Sequence, residues 1–147
     1  MSLHNLDNLY RQSVMAYAKH PRHYRPVATT DCNQATKYNP TCGDTITISV
    51  ELSGDLITDI HFYGDGCAIS KASASMMTDL VIGKDKAEIQ QLMDNFLKMT
   101  MGEQVDTDTL GEAQLLAGVT KFPTRIKCAT LPWHTLQALL FSKEEAK

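Results

Sequence analysis

Three of the four cysteines in this chain lie in widely separated segments, so the fold must join distant parts of the sequence before they can act together. Cys42 is followed by Gly43 and Asp44. Cys67 is preceded directly by one glycine and, two positions earlier, by another, and Cys128 lies near the end of the chain. With the Asp44 carboxylate, the three thiols make four potential ligands, the number found in tetrahedral Zn²⁺ sites. The pattern predicts a metal site assembled from three turns or helix-entry loops.

Two simpler explanations of the cysteines are weaker. A free cysteine is usually a small buried hydrophobe, and this explanation stays open for each cysteine taken singly. A disulfide framework fits poorly, because a chain of 147 residues needs no covalent staples and shows no secretory signal. We therefore expect reduced thiols in a soluble, cytoplasmic protein.

The net charge and the lengths of the apolar runs exclude some classes of partner. The net charge is −3 and no apolar run approaches the length of a membrane span. A strongly basic face for nucleic acid or an anionic membrane is therefore not expected, and we predict neither as a partner. The length and even composition predict one domain spanning residues 1–147.

The first half of the chain predicts one helix followed by strands. Apolar residues at helical spacing indicate a helix from residue 5 to about 19, and a short strand over 36–39 is expected to end at Pro40. Residues 44–52 alternate apolar and polar side chains, as in a half-buried strand. After a turn at 53–55, residues 56–63 return with Thr58, Ile60 and Phe62 predicted on one face, giving an antiparallel sheet.

The second half predicts helices. One begins after Cys67 and ends at Gly83, and the next opens with a capping box of Asp85 and Glu88 and ends at Gly102. A polar loop over 103–110, a short helix over 112–119 and a last helix over 131–143, with Thr130 as its N-cap, complete the chain. Strands followed by helices indicate an α+β fold with a small three-stranded antiparallel sheet and an N-terminal helix.

Three motifs carry a resemblance to a known family. They are Asn-Pro-Thr-Cys-Gly-Asp at 39–44, Gly-Asp-Gly-Cys-Ala-Ile-Ser at 64–70 and Lys-Phe-Pro-Thr-Arg-Ile-Lys-Cys-Ala-Thr-Leu-Pro-Trp at 121–133. In this order they resemble the SufU branch of the IscU/NifU N-terminal family, over nearly the whole chain. The resemblance implies a SufE/NifU-like fold with helices packed on one face of the sheet, and a role in iron–sulfur cluster assembly.

The resemblance also implies roles for individual residues. Cys42 would accept sulfur, and Asp44, Cys67 and Cys128 would complete a zinc site with it. The implied partners are a PLP-dependent cysteine desulfurase of the SufS type and, downstream, a SufBCD-type scaffold. The protein would be a sulfurtransferase-like partner of the desulfurase and not a free-standing enzyme. We expect docking to replace Cys42 on zinc with a partner residue, since a coordinated thiolate is a weakened nucleophile.

Position 127 separates the branches of the family. IscU-type scaffolds carry a histidine before the third cysteine, whereas this chain has Lys127, which is a poor ligand at neutral pH. Lys127 and Arg125 are expected to supply positive charge beside the anionic ligands. Two alternatives remain: a scaffold that builds a transient 2Fe–2S cluster on the same residues, and a structural zinc adaptor without sulfur chemistry. Cys32 matches no ligand of the family and is expected to be incidental.

Overall fold

The computed structural model describes residues 3–28, 33–40 and 42–145. A first helix, α1 (Leu3–Lys19), precedes three strands, β1 (Gln34–Asn39), β2 (Asp44–Ser53) and β3 (Leu56–Asp65). Helices α2 (Ala68–Val81), α3 (Lys86–Thr100) and α4 (Pro123–Glu145) follow, with a 3₁₀ segment, Thr107–Lys121, between the last two. The predicted α+β fold class is confirmed. In the described residues, no helix combines the length and apolar character needed to cross a membrane.

The sheet is antiparallel with the strand order β1-β2-β3. Alternation along β2 buries Ile46, Ile48 and Val50 against the helices, as the sequence predicts. Asn39, the last residue of β1, lies opposite Asp44, the first residue of β2. The turn that contains Cys42 therefore closes one end of the sheet, beside the point where β3 leads into α2.

The predicted face of β3 is wrong at one position. A register shift between Glu51 and Leu52 places Leu52 opposite Ile57, so Ile57 is fully buried and Thr58 is exposed. The Thr58 hydroxyl donates a hydrogen bond to the Glu51 carbonyl at 3.2 Å. An extra residue at a bulge reverses the alternation of side chains beyond it, which the sequence pattern alone does not reveal.

The middle helices begin and end where their caps predict. Gly83, with φ of 81°, follows the last residues of α2 in the left-handed conformation that glycine tolerates. Asp85 and Glu88 form both hydrogen bonds of the predicted capping box at the start of α3. The predicted loop over 103–110 is partly wrong: its last residues form a 3₁₀ turn capped by Asp106, and Gly111 separates that turn from the next.

The predicted start of α4 is wrong by eight residues. The helix begins at Pro123, which suits the first helical position because no backbone N–H is needed there. Cys128 therefore lies inside the helix, and Thr130 donates its hydroxyl to the Ile126 carbonyl instead of capping. Pro132 also lies within α4 and cannot donate to the Cys128 carbonyl one turn earlier.

Buried contacts with α2 and α3 hold the middle of α4 in place. The Trp133 ring stacks on Phe96, with ring centroids 4.2 Å apart, and its Nε1 donates to the Ser73 hydroxyl at 3.1 Å. That hydroxyl in turn donates to the Ala129 carbonyl. Ser73 therefore links two successive turns of α4 to α2, whose N-terminus carries Cys67.

Candidate metal centre

Asp44 occupies the middle of the candidate site. Its side chain is fully buried, and Oδ1 accepts a hydrogen bond from the Cys67 backbone N–H at 2.7 Å. Oδ2 lies 4.0 Å from the Cys67 sulfur. Gly66 permits this approach, because a Cβ there would lie 2.4 Å from the Ser70 hydroxyl and 3.0 Å from Asp44 Oδ1.

Cys42 and Cys128 meet beside this carboxylate from opposite sides. Cys42 lies half-buried in the turn after β1, where Gly43 adopts a φ of 73°, whereas Cys128 is fully buried in α4. Their sulfur atoms are in contact in the manner of a disulfide, with Cα atoms 6.9 Å apart. The two sulfurs and one Asp44 oxygen all lie within 4.8 Å of one another.

A metal ion accounts for this arrangement more completely than a disulfide. A disulfide would use Cys42 and Cys128 and give no reason for a buried carboxylate at the same point. Sulfur and carboxylate donors together match the ligands that Zn²⁺ takes in proteins. The chemistry and spacing of Cys42, Asp44 and Cys128 therefore fit a metal site.

Cys67 is the fourth predicted ligand, and it approaches from the N-terminus of α2. It is the N-cap residue of that helix and is half-buried. Free backbone N–H groups at a helix N-terminus stabilise negative charge, which suits a thiolate. Its sulfur lies 4.0 Å from Asp44 Oδ2, so it adjoins the cluster of the other three.

The two predicted cationic residues occupy different places. Arg125 lies exposed in the first turn of α4, and its Nη1 is 3.5 Å from the Cys42 sulfur. Lys127 is also exposed, but it lines a groove between β1 and α4 together with Tyr38 and His134. The predicted pair is therefore split, with Arg125 at the site and Lys127 beside it.

Asn39 is a residue of the site to which the sequence analysis gave no role. Its side chain is buried, and Nδ2 lies 3.4 Å from Asp44 Oδ2 and 3.7 Å from the Cys128 sulfur. The sequence signal that could have found Asn39 is the antiparallel pairing of β1 with β2, which places the last residue of β1 opposite the first residue of β2. Its contact with Cys128, 89 positions away, depends on the packing of α4.

Tyr10 was predicted only as a residue of the first helix, yet its side chain interacts electrostatically with Cys67 and Arg125. The hydroxyl is buried and has no hydrogen-bond partner among the described residues. Burial raises the pKa of Tyr10; the charge of Cys67 raises it further, and that of Arg125 opposes the rise. The hydroxyl therefore stays protonated at neutral pH.

Cys32, which the sequence analysis expected to be incidental, lies outside the described residues. A histidine of the described residues, His23, takes part in a different cluster. In the loop after α1, His23 Nε2 lies 3.1 Å from Asp79 Oδ1, and Arg22 contacts the same carboxylate. This histidine therefore belongs to a cluster of charged side chains between the loop and α2, away from the cysteines.

Known proteins share both the sequence and the fold. Residues 9–129 match the family model described as NifU-like N terminal domain. The chain is 48% identical over 138 residues to the "Iron-sulfur cluster assembly scaffold protein IscU" of Streptococcus pyogenes serotype M1, covering 93% of this chain and 86% of that protein. It is 45% identical over 134 residues to the "Zinc-dependent sulfurtransferase SufU" of Bacillus subtilis strain 168, covering 90% of each.

A crystal structure of FiSufU from Fervidobacterium islandicum AW-1 is similar throughout. Its TM-score is 0.80 at 33% identity, and the alignment covers 95% of this chain and 99% of that one. The predicted resemblance is confirmed, and the relatives' names agree with the predicted link to iron–sulfur cluster assembly. At similar identity, those names describe two activities, cluster scaffold and sulfur transfer.

Proposed function

Because this chain belongs to the family of NifU-like N-terminal domains, we propose that it accepts persulfide sulfur from a cysteine desulfurase and carries it toward a cluster scaffold. The single observation that carries the proposal is the position of Cys42. It is a half-buried thiol on a turn, 3.5 Å from an exposed guanidinium, while Asp44 and Cys128 behind it are fully buried. A partner could therefore reach Cys42, whereas Asp44 and Cys128 are enclosed by the protein.

We assign Zn²⁺ to the site, with Cys42, Asp44, Cys67 and Cys128 as its ligands. Three thiolates and a carboxylate carry four negative charges, and a divalent cation offsets part of their repulsion. Bound zinc would keep the thiols deprotonated at neutral pH. The name of the Bacillus subtilis relative, a zinc-dependent sulfurtransferase, supports this choice of metal.

The transfer step uses the Cys42 thiolate as the nucleophile. It attacks the outer sulfur of a persulfide on the desulfurase, a new S–S bond forms at Cys42, and the bond within the donor persulfide breaks. The electron pair of that bond leaves with the donor cysteine as a thiolate, so the exchange needs no oxidant or reductant. Arg125 would stabilise the negative charge at Cys42 before and after the attack.

The partners are those that the family resemblance implies. We propose that the sulfur comes from a PLP-dependent cysteine desulfurase of the SufS type and passes to a scaffold of the SufBCD type. The chain itself works as a sulfurtransferase-like component between them. Its half-buried thiols, Cys42 and Cys67, are the ones that a docked partner could reach.

A second candidate function is assembly of a 2Fe–2S cluster on the same residues. The scaffold name of the Streptococcus pyogenes relative, at 48% identity, favours it. Lys127 counts against it, because the family resemblance implies a histidine there in IscU-type scaffolds. A structural zinc adaptor, the third alternative, gives no reason for an exposed cation 3.5 Å from an accessible ligand.

The test compares metal content and sulfur transfer in one preparation. Protein purified without added iron should be colourless and contain about one zinc per chain. Addition to a cysteine desulfurase should raise its turnover of cysteine, and labelled sulfur should appear on Cys42 by mass spectrometry of the digested protein. A brown protein that passes a cluster to an apo-acceptor would favour the scaffold, and zinc without any effect on turnover would favour the adaptor.

A further inference from the structure

Asn39 joins three parts of the candidate metal centre through one side chain and its own backbone. Its Nδ2 lies 3.4 Å from Asp44 Oδ2 and 3.7 Å from the Cys128 sulfur. Its carbonyl accepts a hydrogen bond from the Gly43 N–H at 2.8 Å, which closes the turn that carries Cys42. The residue is only 5% exposed. An amide that contacts two candidate metal ligands from distant segments of the chain can orient both of them.

The direction of these hydrogen bonds matters. The amide nitrogen of asparagine has two N–H donors and no acceptor capacity. A carboxylate oxygen and a thiolate sulfur are both acceptors, so one nitrogen can donate to each of them. Donation to two anionic ligands lowers their mutual repulsion and fixes their orientation, which is the usual effect of a hydrogen-bonding partner behind a metal ligand.

From this geometry we propose that Asn39 is a positioning residue that holds Asp44 and Cys128 on the metal while Cys42 is released to accept sulfur. The inference rests on the proposed function. Asp44 Oδ1 accepts a hydrogen bond from the Cys67 N–H, whereas Oδ2 lies 4.0 Å from the Cys67 sulfur and accepts from Asn39. With Cys42 detached, three donors must retain the ion, and Asn39 contacts two of them.

Arg125 cannot supply the same support. Its guanidinium approaches Cys42 from the exposed side, and that contact involves the ligand that departs. Asn39 contacts the two fully buried ligands from the interior. The effect of losing Asn39 should therefore be greatest when Cys42 no longer binds the metal.

The experiment measures zinc dissociation with a chromophoric chelator, in the absence of any desulfurase. Asn39→Leu removes the donors without adding charge, and Asn39→Asp removes them with little change of shape. Thr36→Val is the matched control, because Thr36 is an exposed β1 residue whose hydroxyl is hydrogen-bonded across the hairpin to Thr47. Each substitution is made in the wild type and in the Cys42→Ser protein.

We expect both Asn39 variants to release zinc faster, by about tenfold in the Cys42→Ser protein and by clearly less in the wild type. Thr36→Val should leave both rates unchanged. The proposal would be overturned if the Cys42→Ser protein released zinc at the same rate with and without the Asn39 substitutions. It would also be overturned if Thr36→Val accelerated zinc release as much as they do. The greater effect without Cys42 is a signature that a merely structural hairpin residue would not give.

A second measurement needs no substitution and so does not depend on the variants folding. In wild-type protein loaded with an NMR-active cadmium isotope, a side-chain amide proton of Asn39 should show scalar coupling to the metal through the Cys128 sulfur. Absence of that coupling, with coupling to the cysteine β protons present, would overturn the hydrogen bond. Neither measurement involves sulfur transfer, whose failure in the wild type would instead overturn the proposed function.

Discussion

The two sides of the candidate metal centre differ in how firmly they are held. On the inner side, Asp44 and Cys128 are fully buried, and both contact the Asn39 amide. On the outer side, Cys42 lies on a turn and is contacted by the exposed Arg125. A site built only for stability would hold its ligands alike. On the function proposed above, the inner side would retain the ion and the outer side would carry out the chemistry.

Replacing one cysteine on each side with serine should give the largest difference between the two sides of the site. Cys42→Ser should abolish acceptance of labelled sulfur but retain much of the zinc, because Asp44, Cys67 and Cys128 remain. Cys128→Ser should lose most of the zinc and unfold at a lower temperature, since it removes a fully buried ligand. Undiminished transfer by Cys42→Ser would move the acceptor role to Cys67, the other half-buried thiol at the site.

Removing the metal tests whether the stability of the protein depends on an ion bound at the inner side. Stripping zinc leaves three thiols and a carboxylate converging on one point, so we expect a clear loss of stability that added zinc restores. A loss of about 3 kcal/mol would lower the melting temperature by roughly 6–12 °C in a domain of this size. Scanning calorimetry under reducing conditions, with and without chelator, measures it. Superimposable transitions would mean that the ligands do not bind an ion together.

Arg125 and Lys127 provide a smaller contrast between two cations of the same helix. Arg125→Ala removes the guanidinium 3.5 Å from Cys42 and should slow sulfur acceptance about fivefold, the equivalent of about 1 kcal/mol for an exposed charge. Lys127→Ala, whose side chain lines the groove beside β1, is the matched control and should have less effect. Zinc content should stay the same in both. Equal slowing would indicate a general effect of positive charge on docking.

Lys127→His should have the smallest effect, and it tests the branch assignment. An imidazole is a ligand for zinc and for iron, and from the groove next to Cys128 it could compensate when Cys42 leaves. We expect modestly slower sulfur acceptance and longer retention of cluster colour after reconstitution with iron and sulfide. Side-by-side absorbance spectra of the wild type and the variant measure it. A wild type that already holds a stable, transferable cluster would favour the scaffold function.

Local sequence signals predicted the parts of the fold that depend on neighbouring residues. Alternation in β2 and the capping box of Asp85 and Glu88 are such signals, and the structure has both. The start of α4 was predicted eight residues too late, because Thr130 has the side chain of an N-cap, whereas the helix begins at Pro123. The three motifs predicted which segments meet.

Which individual side chains contact the ligands of the site could not be predicted in the same way. Arg125 and Lys127 are equally plausible partners in sequence, and the direction in which each leaves α4 depends on how the helix is rotated against the sheet. The Asn39 contact with Cys128 joins residues 89 positions apart. Interactions of that range are set by tertiary packing, for which one sequence carries no periodic signal.

The distance of 86 residues between Cys42 and Cys128 also orders events during synthesis. At translation rates of about 5–20 residues per second, the hairpin with Cys42 and Asp44 leaves the ribosome roughly 4–17 s before Cys128. During that interval the nascent chain would present only part of the proposed ligand set and would bind metal weakly. Full capture of the ion would then wait for α4, which would couple metal loading to the last stage of folding, and a chain truncated before α4 would not retain the ion.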